Sequence, residues 1–133
     1  MLRIMIIVSM ALLASCSKPS TELALDLEGL MITAQVENAL SPFAGDKYKI
    51  SATVEVKNNS KESKNFSNKK LMAIVKNEAP ARAYNNAYYA SALDSTGVEV
   101  PVGEGLDLQL YWIIGSDQYF DISTLTLEYQ SSP

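Results

Sequence analysis

Few residues in this chain are able to do chemistry, and one of them stands alone. Cys16 is the only cysteine among 133 residues. A single thiol forms no internal disulfide, and position 16 is too close to the start to belong to a folded core. The chain has no histidine, which excludes Ser-His-Asp and Cys-His catalysis, histidine proton shuttles and ordinary zinc sites. The "GEG" at residues 103–105 has neither the GxGxxG spacing of a phosphate-cradling loop nor a helix to follow it. Carboxylates, hydroxyls, tyrosines and lysines remain, and no cofactor is expected. Asp117 and Asp121 flank "QYF" and fit either a calcium loop or the capping of a turn, with no Asp-rich loop of calcium-binding length around them. Tyr84, Tyr88, Tyr89, Tyr111 and Tyr119 form a candidate aromatic platform for sugar or peptide, although aromatics are also ordinary sheet residues. Asn58, Asn59 and Ser60 spell a glycosylation sequon but have the composition of a turn.

The residues ahead of Cys16 explain its position. "MLRIMIIVSMA" carries one positive charge, Arg3, and then an apolar run over residues 4–13 broken only by Ser9. This is signal-peptide length, shorter than the roughly 20 residues that span a bilayer. It ends in Leu13, Ala14, Ser15 and Cys16. The "LASC" resembles the bacterial lipobox, a leucine three positions before the cysteine with two small residues between. The resemblance implies that the Cys16 thiol is joined to a diacylglycerol, that the chain is cut before Cys16, and that the new amine is acylated. Two or more acyl chains hold a protein on a membrane almost irreversibly, so the mature protein is expected to be anchored without spanning. Ser17 occupies the place where an aspartate retains such proteins in the inner membrane. The expected location is therefore the cell envelope, on the periplasmic face of the outer membrane, or the outer face of a single-membrane cell. The expected organisation is a signal peptide over 1–15, the lipidated cysteine and a polar, proline-containing tether over 16–22, and one domain over 23–133.

Cleavage before Cys16 removes Arg3 and leaves ten basic residues against fifteen acids, a net charge of about −5. Nucleic acid is not an expected partner. The basic residues are clustered: eight lysines lie within residues 47–76, with only Glu55 and Glu62 among them. The loop "NNSKESKNFSNKK" has two readings. Its lysines discourage edge-to-edge sheet aggregation, or Lys61, Lys64, Lys69 and Lys70, with Phe66 as an apolar anchor, meet an anionic surface such as lipid headgroups, glycan or an acidic protein. The short tether favours a target close to the membrane.

The pattern that positions these residues has period two. In "KYKISATVEVK", Tyr48, Ile50, Ala52, Val54 and Val56 alternate with polar residues, the signature of a strand with one buried face. "LALDLEGLMITAQVENA" reads as one or two strands with a bulge or bend at Gly29. "KKLMAIVKN", "GLDLQLYWII" and "STLTLEYQ" read as further strands, and a loop leading into a strand is expected from about residue 87 to 93. Turn-rich stretches "NNSKES", "DSTG", "PVGEG" and "GSD" separate them. About seven strands in one domain of this length predict an all-β, antiparallel β-sandwich.

"ISATVEVKNNSKES", followed some 45 residues later by "VPVGEGLDLQLYW" and closed by "ISTLTLEYQ", resembles the small immunoglobulin-like domains of bacterial secreted lipoproteins over roughly residues 28–130. Those families bring no catalytic residues to transfer, and the disulfide on which an antibody-domain tryptophan packs is absent here, leaving Trp112 without it. The expected function is a lipid-anchored, non-catalytic binding or assembly module acting on an envelope protein or glycan. The alternatives are an inhibitor or immunity-type lipoprotein that blocks an incoming enzyme or phage component, and a carboxylate-dependent enzyme.

Overall fold

The computed structural model describes residues 19–43, 45–76, 78–85, 97–115 and 121–130. The described chain is all-β with antiparallel pairing throughout. Eleven strands are present among the described residues, more than the seven expected, because short bends cut the second layer into pieces of two to four residues.

The first sheet is built from the strands with the clearest alternation. It contains β1 (Ser20–Leu27), β2 (Leu30–Glu37), β4 (Tyr48–Asn58), β10 (Gly105–Ile114) and β8 (Tyr84–Asn85), in that order, and β3 (Ser41–Pro42) extends the β2 side of β4. Three smaller strands, β11 (Thr126–Tyr129), β6 (Leu71–Ile74) and β7 (Ala81–Arg82), form a second sheet, and β5 (Lys64–Phe66) pairs with β9 (Val98–Val100). One hydrophobic cluster joins them. Ile32, Ala34, Val36, Ile50, Val54, Val56 and Trp112 from the first sheet are fully buried with Phe66, Leu71 and Ala73 from the others. The arrangement is compatible with a β-sandwich.

Two details differ from the sequence expectation. Ser20, Thr21 and Glu22, read as tether, are paired with residues 35–37 and belong to the sheet. At Gly29 there is no bulge: Leu27 pairs with Leu30 across a two-residue turn. Both turn residues, Glu28 (φ 55°) and Gly29 (φ 97°), are left-handed, the geometry whose twist matches a tight hairpin. A Cβ on Gly29 would stand 2.7 Å from that of Ser60, so this position takes no side chain. The strand expected near residues 87–93 lies outside the described residues.

Two buried polar contacts tie the pieces together. Trp112, fully buried on β10, donates its indole N–H to the Leu71 carbonyl 3.1 Å away, joining the two sheets where no disulfide does. Asn58, fully buried at the end of β4, donates from Nδ2 to the carbonyls of Glu62 (2.8 Å) and Val100 (2.9 Å). Its Oδ1 accepts from the Ser60 amide (2.9 Å) and hydroxyl (2.6 Å). An asparagine with both ends satisfied in this way replaces water for four separate groups.

Leu110→Ala should lower the unfolding free energy by about 2–5 kcal/mol, and Gln109→Ala, on the exposed face of the same strand, should leave it nearly unchanged. Asn58→Ala should cost on the order of 3 kcal/mol by stranding buried partners. Asn58→Asp should not rescue it, because an oxygen would then face two carbonyls. Chemical denaturation of the purified domain measures all four.

Candidate functional site

The lysine-rich loop and the tyrosines at 84 and 111 are carried to opposite ends of the first sheet. Register shows this directly. Ser20 pairs with Glu37, Val36 with Ala52, Ser51 with Tyr111 and Tyr111 with Tyr84, so Ser20, Glu37, Ser51, Tyr111 and Tyr84 share one row across five strands. At the other end of the strands are the Glu28–Gly29 turn, Asn58 and Gly105. Seven strand residues separate the two ends, about 23 Å.

At that far end, Lys64 and Lys70 line an open cleft of about 530 Å³ with Asp26, Leu27, Glu28, Leu30, Asn65 and Tyr129. Lys64 also approaches Glu62 at 3.7 Å. The basic stretch therefore meets the acidic hairpin turn in space and is not a separate cationic pole. Lys61 and Lys69 are exposed. Phe66 is not the exposed anchor expected from the sequence. It is fully buried and stacks on Tyr129, with ring centroids 5.7 Å apart, because β5 turns it into the core. The Tyr129 hydroxyl accepts from the Ser67 amide at 3.0 Å. Asn58 of the sequon is buried and fully bonded, so the chemistry there is that of a turn.

At the opposite end, part of the tyrosine platform is realised with members the sequence did not single out. Tyr84 and Tyr111, directly paired across β8 and β10, stack at 5.4 Å with their planes 21° apart. Phe43 lies 6.2 Å from Tyr111 and is 41% exposed. The Arg82 guanidinium covers the Tyr84 ring at 4.2 Å, and the Lys49 ammonium sits 5.4 Å from the centre of Tyr111. This is a run of cation, ring, ring, cation, in which each charge is drawn to the electron-rich face beside it. Lys47, Arg82, Tyr84 and Ile113 line a cleft of about 410 Å³ next to it. The Nη1 atom of Arg82 is buried with no hydrogen-bond partner among the described residues. Cys16, Tyr88, Tyr89, Asp117 and Tyr119 lie outside the described residues.

Phe43, Lys49 and Arg82 were missed because each gains its meaning only from a neighbour distant in sequence. The one available signal was a phenylalanine in the turn-like "SPFAGDK", where a core residue is not expected.

Three carboxylates hold turns. Asp26 accepts from the Gly29 amide at 2.9 Å, and Glu78 accepts from the Gly115 amide at 2.9 Å. Asp121 caps a single 3-10 turn, Ile122–Thr124, accepting from the Ser123 amide (3.0 Å) and hydroxyl (2.7 Å). Those bonds hold its carboxyl below the usual aspartate range. Among the described residues, no group of three or more acids is placed to hold a metal ion. No helix among them is long and apolar enough to cross a membrane.

No family model, curated protein or solved structure matches this chain.

Burial pushes the Tyr129 hydroxyl above its ordinary value, against the smaller opposing effect of the Ser67 amide. The fold thus favours the neutral phenol. Its contribution is complete below the unfolded value of 10.0 and is lost as pH rises through the higher folded value. Between about pH 8 and about pH 11, the wild-type chain should lose more unfolding free energy than Tyr129→Phe, which should itself be about 1 kcal/mol less stable near neutrality for want of the Ser67 bond. Denaturant titrations at the two pH values check both.

Proposed function

We propose that this chain is a lipid-anchored, non-catalytic binding or assembly module of the bacterial cell envelope, built as an immunoglobulin-like sandwich. One observation carries the reading: the Leu13-Ala14-Ser15-Cys16 motif ends only four positions ahead of Ser20, where β1 begins. A lipid on Cys16 would therefore be fastened almost directly to a folded edge strand. Four residue steps reach at most about 14 Å.

The remaining features fit a binding role. Three carboxylates, Asp26, Glu78 and Asp121, are committed to backbone amides of turns. The unusual surface chemistry consists of aromatic rings and cations, groups that recognise anionic or glycan surfaces without reaction. In the immunoglobulin-like reading, Trp112 takes the central place between the layers, and its bond to Leu71 does the joining that a disulfide does in antibody domains. The outer membrane's periplasmic face is the proposed location, with an envelope protein or glycan as partner.

Cys16→Ala should abolish incorporation of a fatty-acid probe in cells producing the full chain and release or misprocess the protein. Unchanged labelling and unchanged membrane partition in that variant would overturn the reading.

A further inference from the structure

We infer that the end of the first sheet carrying Phe43, Lys47, Lys49, Arg82, Tyr84 and Tyr111 lies against an anionic phospholipid bilayer, so that the tethered domain rests on its membrane by a fixed face. The inference rests on the proposal that Cys16 is acylated.

Chain direction supplies the first argument. Ser20, where the chain joins the sheet, shares its row with Tyr111 and Tyr84. Upstream of Ser20 the chain continues in the direction in which β4 runs back from Ser51 to Tyr48: the Pro19 carbonyl accepts from the Asn38 amide, just past β2. Lys49, paired with both Ser41 and Ile113, lies two residues beyond that row on the same side, about 7 Å further. Phe43 and Lys47 follow at the loop between β3 and β4, where the Phe43 amide donates to the Lys47 carbonyl at 2.9 Å. An anchor within about 14 Å of Ser20 therefore holds this end, not the end bearing Lys61, Lys64 and Lys70, close to the lipid surface.

Surface chemistry supplies the second. The patch combines an exposed phenylalanine, two tyrosines and three cations, the mixture that suits a headgroup layer: rings enter the polar–apolar boundary while long basic side chains reach phosphates. Arg82 brings a half-buried guanidinium over the Tyr84 ring, and Lys47 is exposed on the loop. Among the described residues, the acids at this end are Glu37, Asp46 and Glu78, of which Glu78 is tied to the Gly115 amide. At the other end, acids of the hairpin turn face Lys64 and Lys70, which weakens that end's attraction for an anionic surface.

Lysine acetylation of the mature lipidated protein tests the inference. The protein is labelled in detergent micelles, in phosphatidylcholine vesicles and in vesicles of phosphatidylcholine with phosphatidylglycerol, and the peptides are read by mass spectrometry. Lys47 and Lys49 should be several-fold less reactive in the anionic vesicles than in micelles, with the difference shrinking at high salt. Lys61 and Lys69 should react alike in all three. Equal reactivity of Lys47 and Lys49 everywhere, equal protection in neutral vesicles, or protection of Lys61 and Lys69 instead would each overturn the inference. The mass of the peptide containing Cys16 reads acylation independently. An acylated peptide without protection removes this inference alone, whereas an unacylated one removes the anchored reading as well.

Discussion

The side chain of Asn58 is the constraint on which one whole end of the molecule depends. It closes β4, the longest strand, at a point where the chain must leave the sheet, and it does so in complete burial. Four hydrogen bonds from one amide fix the loop through Ser60 and Glu62 and fasten it to β9 through Val100. Its backbone completes the junction, donating to the Glu104 carbonyl and accepting from the Gly103 amide. An isolated polar group in a core is expensive, but a fully satisfied one allows only the arrangement that satisfies it. The loop after β4 is consequently held by a specific amide rather than left to wander. The close approach of Gly29 to Ser60 belongs to the same junction.

Trp112 plays the corresponding part between the layers. A fully buried indole supplies much apolar area, and its N–H requires an acceptor once water is excluded. The Leu71 carbonyl provides it. Small sheets such as that of β6, β7 and β11 bury little surface by themselves; this bond ties that sheet to the larger one, and the stacking of Phe66 on Tyr129 joins the β5–β9 pair to it.

The two ends of the sheet consequently have different characters. The far end is closed by Asn58 and carries a cleft in which basic and acidic side chains face one another. The end at which the chain joins the sheet is a surface of rings and cations assembled from β3, β4, β7, β8 and β10.

The large sheet was legible in the sequence because a half-buried strand must alternate, and β2, β4 and β10 do so residue by residue. The Leu13–Cys16 motif is likewise local, a matter of adjacent residues read without any fold. The hairpin at Gly29 was visible as a break in phase but not as a turn, since alternation does not distinguish a bulge from two left-handed residues. Phe66 misled because its neighbours are lysines and asparagines, and only tertiary packing shows that β5 turns it inward. The tyrosines at 84 and 111 were candidates without a geometry, because nothing in the order of residues says that positions 27 apart become partners. Local chemistry thus determined the strands and the Leu13–Cys16 motif. The sheet register decided which distant side chains meet, because pairing is a long-range choice fixed by burial of the whole face and not by any one segment.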